Sequence, residues 1–71
     1  MDSKPLIIRV KRQHVDALIW ECQHKGWLAE IKFYEYGEPC VTISNPHWHP
    51  HNEESLDELL ERYYQSGKIY R

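Results

Sequence analysis

Apolar and polar positions alternate with period two over Pro5–Lys11, where Leu6, Ile8 and Val10 interleave with Ile7, Arg9 and Lys11. That alternation predicts a strand with one buried face. The period then lengthens. Val15, Leu18, Ile19 and Cys22 fall at i, i+3, i+4 and i+7, one stripe of a helix predicted over 13–25 and stopped by Gly26. Period two returns in "WLAEIKFYEY", residues 27–36. Ala29, Ile31 and Phe33 share one predicted face, and Glu30, Lys32, Tyr34 and Tyr36 the other. "GEP" predicts a turn. "CVTIS", residues 40–44, predicts the return strand, with Val41 and Ile43 inward and Cys40, Thr42 and Ser44 outward. After a proline-stiffened connection, Ser55 and Glu58 have capping-box spacing. Leu56, Leu59, Leu60 and Tyr63 then form a second helical stripe, predicted over 53–66 and ended by Gly67. "KIYR" is long enough for a short last strand.

The order is β-α-β-β-α, with a final β if the tail pairs. It predicts an α+β fold, a small two-layer domain of the split βαβ or ferredoxin-like kind. One antiparallel sheet would carry two helices on one face, and residues 1–71 would form a single domain. The expected core is Leu6, Ile8, Val10, Val15, Leu18, Ile19, Cys22, Ala29, Ile31, Phe33, Val41, Ile43, Leu56, Leu59, Leu60 and Tyr63. A chain of 71 residues buries only about 60% of its unfolded surface. Its three tryptophans, five tyrosines and one phenylalanine compensate, because large rings dominate core energetics.

Two cysteines, Cys22 and Cys40, are too few for a disulfide framework. The opening "MDSKPLIIRVKRQ" lacks the long apolar run of a signal peptide, and no stretch approaches the length of a membrane span. The expectation is a cytoplasmic protein with reduced thiols and no membrane partner. Charge is uneven: between Phe33 and Glu61 there is no Lys or Arg but seven acids. Such asymmetry gives a fold faces of opposite sign.

"SNPHWHPHNEES", residues 44–55, carries the densest candidate chemistry. In an extended chain alternate residues point the same way at about 7 Å spacing, so His47, His49 and His51 are candidate metal ligands, with zinc the natural ion for imidazoles. The competing reading is a polar loop in which Trp48 tucks against the core. The spelling H-x-H-x-H in "HWHPHNE" also resembles the signature of the histidine-triad nucleotide hydrolases, which would make His49 a nucleophile. The resemblance stops at those residues. Asn52 and Glu53 stand where that family is apolar, Pro50 would interrupt a strand ladder, and the chain is shorter than that family's domain. No nucleophile, base and orienting group can be assembled elsewhere, so the expectation is a protein that is not an enzyme.

Two surfaces remain as binding candidates. Trp20 lies off the apolar stripe of the first helix, and exposed tryptophans are interface anchors. With Trp48, Tyr64 and the acids Glu54, Asp57, Glu58 and Glu61 it predicts a patch for a protein partner, as in a small adaptor, regulator or inhibitor. The alternative is the uncovered sheet face. There Arg9, Lys11, Lys32, Tyr34, Tyr36 and Thr42, joined by Lys68 and Tyr70 if the tail pairs, would offer charge for phosphates and rings for bases of a single-stranded nucleic acid, RNA included. Protein is the preferred partner, because the acidic stretch from Phe33 to Glu61 repels phosphate.

Overall fold

The computed structural model of the protein describes residues 5–44 and 54–70. Strand β1 is Leu6–Arg9, and a 3₁₀ turn over Arg12–His14 leads into helix α1, Val15–His24. Strands β2, Leu28–Glu35, and β3, Glu38–Ser44, form a hairpin, and helix α2 is Leu56–Gln65. The sheet is antiparallel in the order β1-β3-β2. Both helices contribute to one buried cluster with Ile8, Val10, Val41 and Ile43, so they cover the same side of the sheet. The α+β two-layer architecture expected from the periodicity is what the chain forms.

Each helix has a local cause. The buried residues of α1 are Val15, Leu18 and Cys22, the predicted stripe. In α2 they are Leu59, Leu60 and Tyr63. The capping box is present in full: the Ser55 hydroxyl accepts from the Glu58 amide at 3.2 Å, and the Glu58 carboxylate accepts from the Ser55 amide at 3.1 Å. Such a cap stabilises a helix by about 1 kcal/mol. At the other end Gly67 takes φ +73°. The Lys68 amide donates to the Tyr63 carbonyl and the Gly67 amide to the Tyr64 carbonyl, the bonding of a Schellman stop. That stop turns the tail back to the sheet. Ile69 bridges Val10 antiparallel, Tyr70 N–H donates to the Arg9 carbonyl, and Lys11 N–H donates to the Lys68 carbonyl.

The helices are tied by charge as well as by packing. Arg62 on α2 reaches Glu54 at 3.0 Å and Glu21 of α1 at 3.3 Å, and Lys25 reaches Glu54 at 3.4 Å. The Tyr63 hydroxyl donates to Glu21 from inside the core. Burial, reinforced by Glu21, pushes that hydroxyl's pKa well above the tyrosine range.

Several expectations need correction. Leu6 and Ile31 are not core: they are 42% and 39% exposed. Each lies on an outer strand, paired to β3 on one side only, where the helical layer leaves the rim uncovered. Phe33 is 44% exposed, for a different reason. A bulge in β2 places Ile31 opposite Val41 but Phe33 opposite Cys40. One extra residue, Lys32, reverses which face the following side chains take. Phe33 and Glu35 therefore share the open face, while Tyr34 sits opposite Pro39 on the helix side. Trp27, Cys40 and Ile69 are buried instead. The hairpin turn is Tyr36–Gly37, and β3 begins at Glu38, before the expected Cys40. Helix α1 starts at Val15 and α2 at Leu56, later than the sequence pattern suggests.

Candidate functional site: the open sheet face around Arg9

One rung crosses the uncovered face of the sheet. Arg9 of β1 pairs with Cys40 of β3, and Cys40 pairs with Phe33 of β2, so the three side chains stand side by side. Cys40 stands on the outward face, as expected, but as a free thiol buried between its neighbours. Arg9, Phe33, Cys40, Ile7 and Tyr70 line a hollow of about 340 Å³, which reaches Tyr64 of α2 at the β1 edge. A second hollow, about 490 Å³, lies along Arg9, Arg12, Tyr36, Gly37, Glu38 and Tyr70. Arg9 and Tyr70 are common to both.

The Arg9 guanidinium carbon lies 4.5 Å from the Tyr70 ring centre and 5.3 Å from that of Tyr36. Such cation–ring contacts contribute about 0.5–1 kcal/mol at exposed sites. Its Nη1 lies 3.7 Å from the Glu35 carboxylate. That is an ion pair but too long to be a good hydrogen bond. The Nε of Arg9 is buried and has no hydrogen-bond partner among the described residues. Lys11 Nζ stands 5.8 Å from the other contact of this group, the Tyr70 ring. The Tyr70 hydroxyl donates to Glu38 at 2.6 Å. This bond holds the Glu38 carboxyl below the usual carboxylate range and the Tyr70 hydroxyl above the tyrosine range. Glu38 also accepts from the Arg12 amide at 3.1 Å, and Arg12 donates to the Gly37 carbonyl at 2.7 Å.

Tyr36 is the anomaly. Glu35 pairs with Glu38 across a two-residue turn, and both turn residues have positive φ, 52° at Tyr36 and 79° at Gly37. Asn or Gly is the usual first residue of such a turn. A tyrosine there carries the left-handed penalty of about 1–2 kcal/mol, and it is 88% exposed. A ring held out to solvent against local preference is grounds for a functional hypothesis.

Of the nucleic-acid candidates, the fold gathers Arg9, Lys11 and Tyr36 around Tyr70. Lys32 lies in the bulge, and Tyr34 falls on the opposite side of the sheet from Arg9. Of the protein-docking candidates, Trp20 is exposed on α1 and stacks on His24 at 4.9 Å, nearly parallel. Tyr64 packs partly against the core. The acids in and just before α2 are largely engaged within the fold: Glu54 with Arg62 and Lys25, Glu58 in the cap, and Glu61 accepting from Gln65 at 3.3 Å. Asp57 is exposed. Trp48 and the candidate ligands His47, His49 and His51 lie outside the described residues. Among the described residues no group of three His, Cys, Asp or Glu side chains is placed to hold a metal ion, and no helix is long and apolar enough to cross a membrane.

Tyr70 was legible as a residue of the open face if the tail joined the sheet, but not as the centre of the site. The signal was available in the alternation of "KIYR", which puts Ile69 inward and Tyr70 outward once the tail pairs. No pattern in "LAEIKFYE" reveals the bulge. No family model, characterised protein or solved structure matches the chain.

Proposed function

We propose that the protein is a non-enzymatic binding module, an adaptor, regulator or inhibitor, and that it docks on a protein partner through the open sheet face around Arg9 and Phe33. The observation that carries this reading is the outward turn of Phe33 at the bulge. It joins Ile7 and Leu28, also exposed, on the face that the helices leave uncovered. Grouped apolar side chains on an open surface favour a protein interface. The sheet order supports a finer reading of the fold as well: a ferredoxin-like sheet whose fourth strand is cut back to the bridge of Ile69 with Val10.

Charge sets the rank of the alternative. Around the two hollows Arg9 and Arg12, with Lys11 beside the Tyr70 ring, meet Glu35 and Glu38: Arg9 pairs with Glu35, while Arg12 reaches Glu38 through its main-chain amide and turns its guanidinium to the Gly37 carbonyl. Nucleic-acid binding needs a surplus of free cations to displace phosphate counterions, and this face has little surplus. The acids of α2 are largely committed to the fold, which favours the sheet over the helix as the docking surface.

The test is affinity capture from the native cell with the wild-type chain, Phe33→Ser and Trp20→Ser, each with and without nuclease. The proposal expects partners that survive nuclease and are lost with Phe33→Ser alone. Partners that vanish with nuclease would transfer the function to nucleic acid, and loss with Trp20→Ser alone would move the site to α1.

A further inference from the structure

Tyr36 is held out of the fold against the preference of its own backbone, with φ at 52° and the residue 88% exposed. The turn that carries it is braced. The Arg9 guanidinium lies 5.3 Å from the ring centre. Arg12 donates from its guanidinium to the Gly37 carbonyl at 2.7 Å and from its amide to Glu38 at 3.1 Å. Glu38 is fixed in turn by the Tyr70 hydroxyl. The core gains little from this, because a ring so exposed buries little apolar area. The turn closes the Glu35–Glu38 pair, at the end of the hairpin remote from the Leu6–Ile43 and Leu28–Ser44 pairs. The line of Ile69 and Tyr70 along β1 runs away from it.

We propose that Tyr36 is the anchor of the docking surface, and that the hairpin tip enters a concave, acid-rimmed pocket of the partner protein that closes round the phenol ring. The proposal rests on the protein-docking reading above and adds the partner's shape and chemistry. A projecting tip needs a receptor that is hollow. Aromatic anchors carry interface energy when they fill desolvated pockets, and a tyrosine brings a large rigid area with only two side-chain torsions to fix. A ring already set by its turn and by Arg9 has less freedom to lose on binding, which is the gain from preorganisation. Strain kept in the free protein is then returned as affinity.

The shoulders of the tip set the chemistry of the rim. Arg9, Lys11 and Arg12 outnumber Glu35 and Glu38 there, and Arg12 is exposed beside Gly37. Glu38 is already occupied by Tyr70 and by the Arg12 amide. Complementary potential on the partner is therefore negative. The hollow of about 490 Å³ at the foot of the ring, between Arg9, Arg12, Glu38 and Tyr70, seats one side chain of that rim. A nucleic-acid base could stack on the ring, but Glu35 and Glu38 stand at the two ends of the turn and oppose a phosphate backbone at that place.

The test places a photoreactive phenylalanine analogue at position 36 of the full chain in the native cell and maps the adduct on the partner. The proposal expects one protein adduct, at a residue lining a pocket with acids at its rim. Against that partner, once purified, Tyr36→Asn should bind about thirtyfold or more weakly while melting no lower than wild type. Tyr36→Phe keeps the ring and should lose about fivefold or less. A ring that served only the fold would give the opposite pair, a lower melting temperature with binding kept. That pair would overturn the proposal, as would Tyr36→Asn binding within about threefold of wild type, weaker binding by a Tyr36→Asn protein that also melts lower, an adduct on a flat or basic surface, or no protein adduct at all. These failures leave the protein-docking reading standing as long as Phe33→Ser still abolishes capture. A nuclease-sensitive adduct at position 36 together with nuclease-sensitive capture would overturn both.

Discussion

The turn at Tyr36–Gly37 offers a direct trade between folding and function. Tyr36→Asn keeps the turn and replaces a residue that resists positive φ with one that tolerates it. Relief of the left-handed conformation should recover about 1 kcal/mol. The loss of the ring's contact with Arg9, at 5.3 Å and on a side chain 88% exposed, should cost about 0.5 kcal/mol. The net gain is about 0.5 kcal/mol. In a domain of this size 1 kcal/mol moves Tm by about 4–8 °C, so the variant should melt roughly 2–4 °C above wild type while binding its partner less well. Gly37→Ala calibrates the argument. An added Cβ at Gly37 would meet nothing within 4 Å, so only backbone conformation is perturbed. It should lower stability by about 1 kcal/mol. Thermal melts followed by circular dichroism, paired with capture assays, measure both quantities. A Tyr36→Asn protein that melts several degrees lower would show that the ring holds the hairpin together. The strain could then no longer be read as a sign of function.

Four other outcomes follow from the same structure. Burial raises the Cys22 thiol to about 11 from an ordinary 9. The unfolded chain therefore releases that proton first, and stability should be intact below pH 9 and fall as pH rises toward 11. The decline should be on the order of 2–3 kcal/mol at most and shallower in Cys22→Ala. On the acid side, the hydrogen bond from Arg62 holds Glu54 below the carboxylate range. Stability from that group is present above the unfolded carboxylate pKa and is lost as pH falls through the lower folded value, and Arg62→Met should flatten this loss in pH-dependent melts. Ser55→Ala removes the cap and should lower stability by about 1 kcal/mol in urea titrations. Leu59→Ala, at a fully buried position, should cost about 2–5 kcal/mol, enough to leave a domain of this size largely unfolded by circular dichroism.

The helices were legible because each rests on a stripe of side chains and a cap, and both signals are local. Val15, Leu18 and Cys22 are buried as their spacing requires, and the Ser55–Glu58 cap forms as spelled. The order of elements was legible for the same reason. What escaped was non-local. A bulge is a relation between two strands, and nothing around Lys32 distinguishes a regular strand from one that slips by a residue against Val41 and Cys40. That slip exchanged the faces of Phe33 and Tyr34, and with them the composition of the candidate site. The exposure of Leu6 and Ile31 reflects how far two ten-residue helices extend over a sheet, which periodicity does not encode. Arg9 was picked out for its charge, yet its setting depends on Tyr70, 61 positions later in the chain, reaching β1 through the stop at Gly67.

The proposed working surface is the open sheet face, and its proposed partner is protein. Site-specific photocrosslinking in the native cell tests it most directly, with a photoreactive phenylalanine analogue at position 33 in one protein and at position 57 in another. A discrete protein adduct is expected from position 33, resistant to nuclease and absent when Arg9→Gln is combined with it, and no such adduct from position 57. An adduct from position 57 alone, or a nuclease-sensitive adduct from position 33, would contradict it.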